Sequence, residues 1–274
     1  GVFSAFAATA FINQTPGAFI LVYLADLPLF LTGFAFGPHT ALISGAAGLV
    51  ITGFLGGGLA AGFFVLLQVL PTWLVVRVML LQRPIAMSKG SGTPNPSKNN
   101  IEWYPVGEMV CWLSMLVAGM LLVASLASII SGHEILSTLI SDNLDRIFQT
   151  MAPEWDPDQR TKIVDLMVPM FPGAIGISWL IMIIFNAVLA QKILCKLGKA
   201  IRPTPAYINL HLPHWISWPL VVSCALALLG AGELEYTGRN LAMILSLPFF
   251  FLGLAVFHTW AQRLQKGRWI LLVL

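Results

Sequence analysis

Apolar residues run along this chain in long blocks parted by short polar breaks, and not in the alternating rhythm of an outer-membrane barrel. Blocks of about 17–25 residues, at ~1.5 Å per residue, match the ~30 Å hydrocarbon core of a bilayer. The pattern predicts spans at 1–13, 16–36, 39–55, 58–82, 105–131, 165–192, 214–231, 240–262 and from 269 onward. The expected fold is all-α, a polytopic transmembrane helical bundle of eight or nine spans with the first and last incomplete. Residues 1–274 read as a single integral membrane domain, with a linker at 83–104 and an outer amphipathic segment at 132–162.

Two helical details stand out within that pattern. In "EILSTLISDNLDRIFQT", Leu136, Leu139 or Ile140, Leu144, Ile147 and Phe148 recur at helical spacing opposite Asp142, Asp145 and Arg146. This predicts a surface helix, either capping a cavity or resting on headgroups. Pro71, Pro169 and Pro172 break or kink two further helices.

Composition confirms the class. Only 10% of positions are charged and 57% are hydrophobic, against about 25% charged in soluble domains. No polar stretch is long enough for a separate soluble domain. The chain lacks an initiator Met and ends in "GRWILLVL", so a further span is expected beyond Leu274.

Charge then orients the bundle. Arg77, Arg83, Lys89, Lys98, Lys192, Lys196, Lys199, Arg202, Arg263, Lys266 and Arg268 fall on one side, against Arg146, Arg160, Lys162 and Arg239 on the other. The positive-inside rule makes the first side cytoplasmic. Topology thus accounts for the basic residues, and nucleic-acid binding is not expected. The stretch "MSKGSGTPNPSKN" reads as a linker, followed by Trp103 and Tyr104 as interfacial anchors.

One acid stays in the membrane. Asp26 interrupts "YLADLPLFLTGFAF", two residues before Pro28. A charge at the centre of a span costs at least about 2.5–3.5 kcal/mol, so something must offset it. Pro28 lacks an amide hydrogen and breaks the helical ladder, which leaves two readings. Asp26 either caps the second half-helix through its side chain, or is a carboxylate that binds a ligand or a proton. On the second reading Asp26, Tyr23 and Thr32 form the site, with Asn13 and Gln14 at its outer mouth.

Small residues recur four apart as Ser4/Ala8, Ala5/Thr9, Ala41/Gly45, Ser44/Gly48, Gly57/Ala61 and Gly58/Gly62. Each pair marks a helix face for close approach, inside the bundle or to another subunit. Gly56-Gly57-Gly58 predicts a tight turn between two spans. Other chemistry is poorly supported: His211 and His214 lack further metal ligands, His133-Glu134 is not completed to HExxH, and His258 has no nearby intramembrane acid in its own helix. Cys111, Cys195 and Cys224 are isolated, and nucleophile-elbow, kinase and nucleotide signatures are missing. No enzyme activity, cofactor or metal is expected.

The succession "LPLFLTGFAFGP", "LPTWLVVRVMLLQRP", "IEWYPVGEM", "NLHLPHWISWPL" and "FLGLAVFHTWAQ" resembles the YybS-type predicted bacterial membrane proteins, a family of unknown function. The first four spans also resemble the substrate-binding S components of energy-coupling-factor vitamin transporters. That resemblance implies an S-component-like core, a small nutrient captured from the outer side, and a coupling subunit docked on the first helix. The docking face would be Ser4, Ala5, Ala8 and Thr9, with Gly45, Gly48, Gly58 and Gly62 as further helix-docking positions. The resulting expectation is a multi-pass protein of the bacterial inner membrane that binds or helps to transport a small solute. The alternative is a non-catalytic subunit or assembly factor packed in a larger membrane complex. Its expected partners are the lipid bilayer, a small-molecule solute, and membrane subunits of a coupling module or that complex.

Overall fold

A computed structural model describes residues 1–9, 18–84, 101–130, 136–205 and 210–263. Asn13, Gln14, His133, most of the 83–104 linker and the last basic turn lie outside the described residues, as does the side chain of Thr9.

The protein is helical. Its helices are α1 (Val2–Thr9), α2 (Ala18–Tyr23), α3 (Leu27–Phe36), α4 (Pro38–Phe64), α5 (Leu70–Met79), α6 (Val106–Ile130), α7 (Leu136–Met151), α8 (Pro157–Met167), α9 (Phe171–Lys196), α10 (Ser217–Leu229) and α11 (Glu233–Arg263). A π-helical segment, Val65–Val69, joins α4 to α5, and a 3-10 turn, Val168–Met170, joins α8 to α9. Among the described residues, four helical stretches are long and apolar enough to cross a membrane: Pro38–Met79, Val106–Ile130, Pro157–Lys196 and Glu233–Ala261. Shorter apolar helices cover Ile20–Phe36 and His214–Leu229.

The first of those stretches is a hairpin. Gly57 has φ +80° and ψ 177°, a conformation essentially confined to glycine. A Cβ added to Gly45 would lie 2.4 Å from Val69, one on Gly48 2.6 Å from Phe64, and one on Gly53 3.7 Å from Ala61. These pairs centre on residues 56 and 57, so 38–56 and 58–79 run antiparallel with their backbones close together. The glycine triplet predicts this turn, and the structure puts it at Gly57.

The chain divides into two compact units, Gly1–Met109 with Ile181–His211, and Val110–Leu180 with Leu212–Leu274. In unit 1, α3 lies along the hairpin through Gly33, where an added Cβ would come within 2.6 Å of Val76 and 3.2 Å of Ala41. Leu29, Phe64 and Val69 form a buried apolar cluster, and Ala8 of α1 packs on it. The linker read at 83–104 is pinned at its base: β1 (Gln82–Pro84) pairs antiparallel with β2 (Ile101–Trp103), and Arg83 binds Glu102 at 2.7 Å.

In unit 2, α10 and α11 turn at 230–232, and Gly238 approaches so closely that an added Cβ would sit 2.6 Å from the Ala227 amide nitrogen. Ser125 of α6 bonds Thr237 of α11 at 2.9 Å. Helix α7 occupies the segment with the amphipathic pattern, with Leu144 buried and Asp142 and Arg146 exposed. Two boundaries differ from expectation. Residues 157–167 form a helix of their own, opened by Pro157 at its first position and tied to α7 by Arg160 on Asp145 at 2.6 Å. Helix α11 begins at Glu233 and not near 240, because Glu235 and Arg239, one turn apart, pair along its first turns.

Candidate functional site: a broken helix with an unpaired acid

The local sequence forces the break. Pro28 has no N–H to give to Leu24, and the backbone rearranges around that loss. Leu27 N–H donates to Leu24 O at 3.1 Å, and Ala25 N–H to Val22 O at 3.1 Å. These shortened steps leave the Tyr23 carbonyl without the Leu27 amide that a continuous helix would supply. Asn186 of α9 fills the gap, donating Nδ2–H to Tyr23 O at 2.7 Å and its second Nδ2–H to Met182 O at 2.8 Å.

Asp26 sits at the head of α3, and its own carbonyl accepts from Phe30 N–H at 3.0 Å. Its side chain makes no capping bond. The capping half of the sequence reading therefore does not describe this carboxylate. Asp26 is fully buried, and neither Oδ1 nor Oδ2 has a hydrogen-bond partner. Asn186, also fully buried, leaves Oδ1 unpartnered. Ser4, Thr52, Gln68 and Thr72 add further unpartnered buried oxygens in the same unit. Gln68 lies in the π-helical segment and Thr72 one turn beyond it. Buried polar atoms are nearly always bonded, so this unit holds unusual spare capacity.

The remaining sequence-named residues separate into different surroundings. Tyr23 contributes its carbonyl to the break while its side chain is exposed. Thr32 returns its hydroxyl to Leu29 O at 2.9 Å and Pro28 O at 3.2 Å. Ser4 and Ala5 are fully buried, and Ala8 packs on the apolar cluster. Gly45 and Gly48 face Val69 and Phe64 across the hairpin. Those faces are occupied within unit 1, whereas Gly58 and Gly62 are exposed with nothing near an added Cβ. Asn186 was not among the residues singled out from the sequence. Its signal is the same as that of Asp26, a polar residue inside the apolar run "LIMIIFNAVLA".

A second polar centre ties helix ends together in unit 1. Arg202, 7% exposed, donates to Met79 O at 2.9 Å and Tyr104 O at 3.0 Å, and its guanidinium lies 5.6 Å from the Trp103 ring centroid. Gln191 binds Arg202 O at 2.6 Å, and Ile201 N–H reaches Phe34 O at 3.4 Å. A cation on the last carbonyls of α5 is favourably placed.

A family model described as predicted membrane protein (DUF2232) matches residues 105–274. The chain belongs to that family. The match takes in Asn186 and Arg202, while Asp26 precedes it. No curated protein and no solved structure matches. Among the described residues no group of three or more His, Cys, Asp or Glu side chains is placed to hold a metal ion.

Proposed function

We propose that this DUF2232 protein binds a small solute within the membrane, at the helix break of unit 1, and helps to move it across. The observation that carries the reading is the fully buried carboxylate of Asp26 with both oxygens unpartnered, three residues after the carbonyl bound by Asn186, whose own Oδ1 is also unpartnered. Broken helices at membrane depth are tolerated where they line a polar cavity or are packed in protein, and ionisable residues there mark solute and ion pathways. The S-component-like core, the eight or nine spans, the bacterial inner-membrane location and the absence of catalysis belong to the same proposal.

Native mass spectrometry of the full-length protein, released in mild detergent from its own membranes, tests it. A retained small molecule that disappears in Asp26→Asn supports the proposal. A ligand-free protein held with stoichiometric unrelated subunits contradicts it. The exposed Gly58–Gly62 face favours that second reading, a non-catalytic subunit in a larger complex.

A further inference from the structure

Among the described residues, Asp26 stands in electrostatic isolation. Helix α1 carries no titratable side chain, and the Gly1 amino group at its head is bonded to Ser44 Oγ at 2.6 Å. Along the hairpin, the ionisable side chains are His39 and Arg77, both exposed. Arg77 stacks over Trp73. The part of α9 in this unit carries Lys192 and Lys196, both exposed near its end, and the half-buried thiol of Cys195. On α2 the only such group is the exposed phenol of Tyr23. Among the described residues Arg202 is the buried cation of the unit, but it gathers with Phe34, about 12 Å along α3 from Asp26 at ~1.5 Å per residue. No described side chain offers Asp26 a countercharge.

Hydrogen-bond capacity narrows the occupant further. Both amide hydrogens of Asn186 are spent on Tyr23 O and Met182 O, so only its Oδ1 acceptor is left. An ionised Asp26 offers acceptors only, and Asn186 can donate nothing more to it. A protonated Asp26 gains one O–H donor, and Asn186, held by the carbonyl three residues earlier, has one acceptor free. With Asp26 ionised, the pair lacks a donor for an anion, and among the described residues no cluster of acids stands ready for a divalent metal.

We infer that Asp26 is a proton-binding group, and that it takes up and gives back one proton with Asn186 Oδ1 as the acceptor of its O–H. The step is a proton transfer alone: a proton from water joins one Oδ of Asp26, the new O–H bonds Asn186 Oδ1, and release returns the proton to water. The proton site stands on these observations by itself; its linkage to solute movement rests on the proposed solute-binding reading.

The test is infrared difference spectroscopy of the full-length protein in lipid vesicles, stepped in pH from about 4 to 10 to bracket carboxylate titration. The proton is the probe, first in sodium-free buffer and then with sodium chloride. The expected result is a protonated-carboxyl C=O band that grows as pH falls, is missing in Asp26→Asn, moves in frequency in Asn186→Leu, and is indifferent to sodium. Isotopic labelling of aspartate carboxyls assigns the band in the unmutated chain, should a variant not fold. A spectrum indistinguishable from that of Asp26→Asn overturns the inference, and so does a midpoint displaced by sodium, which would mark a metal-cation site. An unmoved band in Asn186→Leu overturns the assignment of Asn186 as acceptor. A titrating Asp26 in a protein that retains no solute would leave the proton site standing and sink the solute reading alone.

Discussion

The two units each contain a broken helix held by one asparagine, and the two asparagines are not used alike. In unit 1, Asn186 donates to Tyr23 O and, one turn back, to Met182 O. In unit 2, Asn240 donates to Pro169 O at 3.1 Å and, one turn back, to Tyr236 O at 2.8 Å. The donor pattern is the same, but Asn240 also accepts Gly173 N–H at 2.8 Å, so its amide is fully engaged. Tyr236 adds its hydroxyl to Val168 O at 3.1 Å. The unit 2 break is thereby satisfied from both sides. At the unit 1 break, the corresponding oxygen is empty and an unpaired acid stands next in the chain. A satisfied break is a structural device, whereas the unit 1 break keeps polar capacity unspent, and the proposed binding role rests on that difference.

That contrast sets the order of expected mutational effects. Asn240→Leu should be the most damaging to stability, because it strands Gly173 N–H and Pro169 O together. Unpaired buried groups cost about 1–3 kcal/mol each, so a loss on the order of 2–4 kcal/mol is expected in thermal unfolding in detergent. Gly45→Ala comes next: its new Cβ would meet Val69 at 2.4 Å, with an overpacking cost of about 1–3 kcal/mol. Adding Val69→Ala should recover much of that loss, and a double mutant no better than the single would show that the hairpin arms are not in register about Gly57. Asn186→Leu should cost about 1 kcal/mol, since it strands only the Tyr23 carbonyl, yet it should impair solute retention more than Asn240→Leu does. If both asparagine variants lost stability and solute retention equally, the comparison would collapse.

The smallest effect belongs to Arg83 and Glu102 on the exposed strand pair. Arg83, hydrogen-bonded and opposite in charge, holds the Glu102 carboxyl below its ordinary range. A carboxyl lowered by folding stabilises the fold above its unfolded value and loses that contribution as pH falls through its folded value. Because the pair is fully exposed, Glu102→Gln should leave unfolding at neutral pH nearly unchanged and remove only a slight acid-side dependence, measurable as flattening of stability against pH.

Much of the architecture is legible in the chain because membranes impose a coarse code. A lone acid in an apolar run marks Asp26, and three consecutive glycines mark the turn at Gly57. Helix α8 was harder to see, since "PDQRTKIVDLM" has too few apolar positions to show a helical period and reads as loop. The start of α11 was hidden for a similar reason: Glu235 and Arg239 look like loop residues until their pairing one turn apart is known. The role of Asn186 is not legible in the sequence, because an uncharged amide raises no alarm in hydropathy and the carbonyl it serves lies 163 residues away. Long-range partners of backbone groups are set by tertiary packing, which a single sequence does not display.

The most direct test of the central claim is the melting temperature of Asp26→Asn beside that of Asn240→Leu, in the same detergent. If Asp26 contributes no structural bond, its near-isosteric replacement should melt within a degree or two of the original, while Asn240→Leu falls by several degrees at about 2–4 °C per kcal/mol. A fall for Asp26→Asn as large as that for Asn240→Leu would show that the acid holds the break together, and would contradict its assignment as a binding group.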